Sequence, residues 1–218
     1  VTARPARGRA PSRLRTDAAR NRAQILSAAR GAFLEAGTAV PLEEIARRAG
    51  VNIATLYRRF PNRDALIAQV VVDGFGIVLD AARAAATSAP ADPPAAVQAF
   101  LRRVVDSRDM LVLPLIGGPQ TDDPQARELQ RDISAALEEI LEQGRRRRLI
   151  RADVTAVDLI TTAALLCRPL PHLPPEQAAI LTARHLGVFL DGLRPDPSVT
   201  LPPPPSNEEL ADHLHAGA

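Results

Sequence analysis

Four long stretches of this chain contain no proline: residues 12–40, 62–89, 125–168 and 176–194. Elsewhere proline is frequent, with 20 in 218 residues. Proline has no amide hydrogen and its ring clashes with the turn before it, so long helices can lie only in such gaps. The same stretches are rich in Ala, Leu, Arg and Glu, the strong helix formers. No segment alternates apolar and polar residues between hairpin turns. The chain is therefore read as all-α.

Apolar spacing places the helices. The first is expected over about 16–36, with Thr16 or Asp17 as cap, Ile25, Ala29 and Phe33 along one face, and Gly37 as its stop. Leu42, Ile45, Ala46 and Ala49 then form one apolar stripe, opposite Glu43, Glu44, Arg47 and Arg48. A short helix over 53–60, capped by Asn52, and a long apolar one over 62–87 follow. Further helices are expected at 95–107, 109–116, 122–148, 155–168 and 175–193. The resulting division is a basic flexible arm at 1–15, a helix-turn-helix domain at 16–61, a helical body at 62–195 and a Pro-rich flexible tail at 196–218.

Charge separates the same parts. All 27 basic residues are Arg. Residues 1–73 hold 13 Arg against 6 acids, a net of +7, whereas residues 74–218 hold 14 Arg against 19 acids, a net of −5. A basic head on an acidic body suggests that the head meets a polyanion. No run of 18 uninterrupted apolar residues is present, so no membrane span is expected. The first 16 residues carry five Arg and lack the apolar core of a secretory signal. A cytoplasmic protein is expected.

Residues 42–60 hold the most information. Two short helices around Gly50, which accepts positive φ, make a helix-turn-helix. Ile45, Ala46, Val51, Leu56 and Phe60 are placed to lock it. Asn52, Ala54, Thr55, Arg58 and Arg59 are then left facing outward. Arg can donate two hydrogen bonds to guanine, and Asn can pair with adenine. Arg47, Arg48 and Arg63 suit phosphate contacts, which set register without reading sequence. Tyr57, the only Tyr, is either a core ring or a hydroxyl aimed at phosphate.

Residues 22–68 resemble the DNA-binding domain of the TetR family of transcriptional regulators. The matching text is ILSAARGAF at Ile25–Phe33, Glu35-Ala36-Gly37, LEEIARRAGVNIATLYRRF at Leu42–Phe60, and PNRDAL at Pro61–Leu66. The resemblance implies that Thr55, Tyr57 and Arg63 touch DNA. Arg59 departs from the family's usual His or Tyr, and Pro41 stands where a Ser or Thr often caps the second helix. It also implies a C-terminal domain for ligand binding and dimerisation, and hence a homodimer on a near-palindromic double-stranded DNA operator. Release by a small hydrophobic effector is implied as well, which makes the chain a repressor. Candidate pocket residues are Phe100, Val104, Met110, Leu113 and Leu166. Candidate interface residues are Leu159, Ala163, Leu166, Ile180, Ala183, Gly187 and Leu190, on two nearly all-apolar helices.

Other readings stand beside these. The arm residues Arg4, Arg7, Arg9, Arg13 and Arg15 form either a solvated tail or a minor-groove arm. Arg145–Arg148 is the densest cationic run and reads as a helix end complementing its dipole. Cys167, His172 and His185 fit no zinc spacing, and no metal or cofactor is expected. A non-specific architectural DNA binder remains an alternative. So does an enzyme with an incidental basic end, although no nucleophile elbow or phosphate loop supports one.

Overall fold

A computed structural model describes residues 11–114, 118–170, 172–195 and 199–205, with only the backbone described for 11–17. The described residues hold helices α1 (Pro11–Ala36), α2 (Leu42–Arg48), α3 (Ile53–Arg59), α4 (Arg63–Ser88), α5 (Pro93–Asp106), α6 (Pro124–Arg146), α7 (Ala156–Cys167) and α8 (Pro175–Gly192), and no strand. They form two compact units divided between Val70 and Val71, within α4.

In the first unit α1 packs on α2, and α2 on α3. The core consists of Ile25, Ala29, Phe33, Ile45, Ala46, Leu56, Phe60 and Leu66. Fully burying a side chain such as Ile45 or Leu56 contributes about 1.5–3 kcal/mol. Two glycines end helices where a side chain would strain the backbone. Gly37 (φ +74) donates to Phe33 O, and Gly50 (φ +65) donates to Arg47 O while Val51 N reaches Ala46 O. The second pair of bonds satisfies the last carbonyls of α2 and turns the chain sharply into α3.

The second unit is built on mutually packed α5, α6 and α7, with α8 against α5 and α7. Phe100, Leu101, Leu137, Ile140, Leu141 and Leu159 are fully buried there. Its helices α5, α6 and α7 start on side-chain caps, whereas α8 starts after Pro174 without one. Asp92 accepts from Ala95 N, Asp123 accepts from Gln125 N, and Asp158 accepts from both the amide and the hydroxyl of Thr155.

Three expectations are corrected. α1 begins at Pro11, so Thr16 and Asp17 lie inside it and cannot cap it; proline is compatible with a first turn. Of the helix expected at 109–116, residues 115–116 lie outside the described residues, and the described part begins in a 3₁₀ turn, Arg108–Met110. Leu111 is already extended, and Pro114 disfavours helix at the residue before it. The expectation of no membrane span is not overturned by α4, which could cross a membrane by length and composition alone. Its Leu66, Val70, Val71, Leu79 and Ala82 are instead buried within the protein.

The third correction concerns the tail. Arg151 is a buried charged residue, 7% exposed. Its guanidinium donates to both Asp153 oxygens at 2.6 and 2.7 Å and to Val199 O at 2.8 Å, while its amide donates to Leu193 O. Val199 and Leu201, within the tail read as flexible, are thus tied to the α6–α7 turn, as is the end of α8. The guanidinium holds the Asp153 carboxyl down to about 2 from its usual 3.8. A depressed carboxyl contributes stability that is complete above its unfolded pKa and is lost as pH falls through the folded one. Urea unfolding is therefore expected to show stability falling between about pH 4 and pH 2. Asp153→Asn should start less stable at pH 6 and lose less on acidification.

Candidate nucleic-acid interface

α3 has seven residues, of which Leu56 is buried. Asn52 caps it as expected, its Oδ1 accepting from Ala54 N at 2.9 Å. That bond commits the carbonyl oxygen and leaves the NH2 group outward, so the pairing with adenine expected of Asn52 would compete with the cap. Thr55 is half-buried. Tyr57 is 46% exposed, which removes the core-ring reading. Arg58 and Arg59 are exposed in the last turn. No hydrogen bond or ion pair to the described residues holds Tyr57, Arg58 or Arg59.

The cations of α2 are held differently. Arg47 makes a bidentate pair with Glu44, both bonds 2.8 Å. Arg48 Nε donates to the same carboxylate at 2.8 Å, and its Nη1 to Glu35 at 2.6 Å. Hydrogen bonds from Arg47 and then Arg48 hold the Glu44 carboxyl down to about 2. Pro41 supplies no side-chain cap to α2, whose first turn instead carries Glu43 and Glu44. Those acids complement the helix dipole, and Glu44 faces Arg47 and Arg48 at the favourable i,i+3 and i,i+4 spacings.

Arg63, read as a phosphate contact, is half-buried and uses Nη1 to donate to both Thr38 O and Val40 O. It fastens the α1–α2 loop, and this nitrogen is committed to the fold. Arg22 lies 5.6 Å from the centre of the Phe60 ring, a cation–π contact that was not anticipated. An Arg and an aromatic 38 positions apart leave no local signal.

The arm residues Arg4, Arg7 and Arg9 lie outside the described residues, while Arg13 and Arg15 fall within the span of α1. The run Arg145–Arg148 is largely consumed by its own unit. Arg145 bonds Glu138 and Val154 O, Arg146 lies 3.5 Å from Glu142, and Arg147 donates to Pro90 O and Ala91 O.

The pocket and interface candidates divide by burial. Phe100, Val104, Leu113 and Leu166 are buried, and the Cys167 thiol points at Val104 O. Met110 is 44% exposed on the 3₁₀ turn and leaves that group. Leu159, Ala163 and Leu166 face the unit's own core, so they are corrected as interface surface. An all-apolar helix gives no sequence signal for which side faces in. Ile180, Ala183 and Gly187 are exposed, and Leu190 is half-buried. Leu165 and Val188 were missed, and they are 66% and 74% exposed.

Residues 25–70 match the family described as bacterial regulatory proteins, tetR family. Residues 92–195 match the transcriptional regulator SbtR-like, C-terminal domain. A TetR transcription regulatory protein from Mycobacterium vanbaalenii is 35% identical, with 83% of this chain and 99% of that one covered and a TM-score of 0.55. The chain belongs to the TetR family. It is thus a DNA-binding transcriptional regulator rather than an enzyme. The TetR transcriptional regulator SCO0520 of Streptomyces coelicolor is 33% identical to the regulator, over 80% of this chain and 98% of that one, with a TM-score of 0.54. SmeT, in a complex with triclosan, shares the fold at 20% identity, over 85% and 99% of the two chains, with a TM-score of 0.51. No curated protein matches the regulator.

Arg58→Ala is expected to cost about 1–3 kcal/mol of operator affinity and to relax sequence preference at one position. Fluorescence anisotropy with operator and shuffled duplexes measures both. An equal loss on every duplex would make Arg58 a phosphate contact instead.

Proposed function

We propose that this regulator is a cytoplasmic repressor that binds a near-palindromic duplex operator as a homodimer and leaves it when a small hydrophobic molecule enters the C-terminal unit. The observation that carries the reading is the outward end of α3. There Tyr57, Arg58 and Arg59 are exposed without partners among the described residues, beside cations already paired within the fold. Arg58 and Arg59 are proposed to meet base edges and phosphates in the major groove, with Tyr57 and Thr55 on phosphate. Asn52 presents its NH2 group. Arg47, Arg48 and Arg63 are secondary phosphate groups.

The exposed apolar residues Leu165 of α7 and Ile180, Leu181 and Val188 of α8 support a self-complementary interface. Ala183 and Gly187 allow close approach there, and Leu190 borders it. Two heads would then address successive major grooves, about 34–36 Å apart. Phe100, Val104, Leu113 and Leu166 are the proposed pocket lining. SmeT, which shares this fold, is solved with triclosan, and that supports a small-molecule effector. Switching then requires only that the effector prefer an arrangement that binds DNA poorly.

Val188→Glu places a charge in the proposed interface without touching the head. It should yield a monomer in sedimentation experiments, with unchanged helix content and operator affinity reduced by about tenfold or more. A Val188→Glu protein that remains dimeric and binds normally would refute this interface. Equal wild-type affinity for operator and random duplex would refute the repressor and favour an architectural DNA binder.

A further inference from the structure

We propose that Glu44 and Glu35 restrain the regulator's sequence-independent hold on DNA. They neutralise the two cations of α2 and leave discrimination to the end of α3. The inference rests on the DNA-binding reading of the helix-turn-helix and goes beyond it in naming what limits non-specific affinity.

The geometry is specific. One carboxylate, Glu44, accepts both forks of Arg47 and the Nε of Arg48, each at 2.8 Å, and Glu35 of α1 takes a second nitrogen of Arg48 at 2.6 Å. Arg47 keeps one terminal nitrogen outside this set, and so does Arg48. The four side chains sum to zero charge. Non-specific affinity comes from counterions released as cations neutralise phosphates, at about 0.9 per phosphate on duplex DNA. A net-neutral quartet contributes little to that release however its nitrogens point. At the end of α3, Arg58 and Arg59 have no such partners among the described residues. Within the helix-turn-helix itself, the charge left uncompensated among the described residues is therefore concentrated on the helix proposed to meet base edges. The same pairs brace α2, which Pro41 leaves without a side-chain cap. A brace alone would account for the contacts within α2. Glu35, which reaches Arg48 from α1, ties those two helices together as well, so bracing and restraint are told apart by DNA binding.

The test uses Glu44→Gln, Glu35→Gln and the double variant of the full chain, titrated by anisotropy onto random and operator duplexes over about 50–300 mM salt. Circular dichroism reports helix content. Random-duplex affinity at about 100 mM salt should rise about tenfold for the double variant. The slope of log K on log salt should steepen by about 1–2, and the operator-to-random ratio should fall. A loss of folding cannot tighten binding, so this gain separates restraint from bracing. Should Glu44→Gln unfold α2, Glu35→Gln leaves the pairs within α2 intact and should still tighten random binding. Random affinity that is unchanged or weaker in the folded variants would overturn the proposal. A wild type that binds no duplex would instead overturn the DNA-binding reading beneath it.

Discussion

A helix of seven residues does not persist alone in water, because nucleation costs more than so few hydrogen bonds return. α3 is such a helix, and Leu56 is its buried residue, with Phe60 buried just beyond its end. The rotation of α3 about its axis is therefore set by that anchor. With Leu56 turned in, helical spacing turns Arg58 to the far side and Tyr57 to a flank, and Arg59 is exposed in the last turn. The turn enforced by Gly50 and the Asn52 cap fixes where α3 begins. The surface proposed for DNA depends on this small apolar contact more than on any cation it displays.

Charge in the head is more selective than its total suggests. Of the cations in and beside the helix-turn-helix, Arg47 and Arg48 are paired with acids and Arg63 holds backbone carbonyls. Arg58 and Arg59 remain. Formal charge counts all five alike, whereas a phosphate or a base edge meets only what the fold leaves uncompensated. In the second unit most of Arg145–Arg148, denser in sequence than any other cationic run, is likewise bound to its own acids and carbonyls.

Much of the fold was legible in the sequence because helix limits are local chemistry. Proline-free stretches, Gly37, Gly50 and Asn52 mark starts and stops within a few residues of where they fall. What was not legible depends on distant partners. Arg151 is buried because Asp153, Gly192 and Val199 converge on it, and the last two lie 41 and 48 positions away. α7 is apolar on all sides, so only packing decides that Leu159 and Ala163 face in and Leu165 faces out. The residues after Met110 read as helix by composition, yet Leu111 is extended and Val112 and Leu113 lie outside any helix, because Pro114 and the burial of these three override propensity. For the site, the residue types on α3 were legible and their partners were not. The spacing of Glu44 to Arg47 and Arg48 was visible, but the reach of Glu35 across helices was not.

Amide hydrogen exchange with and without a duplex covering the regulator's own upstream region tests the central claim most directly. The account predicts DNA-dependent protection at residues 52–60, with none at 145–148. Protection confined to 145–148, or an α3 indifferent to DNA, would contradict it.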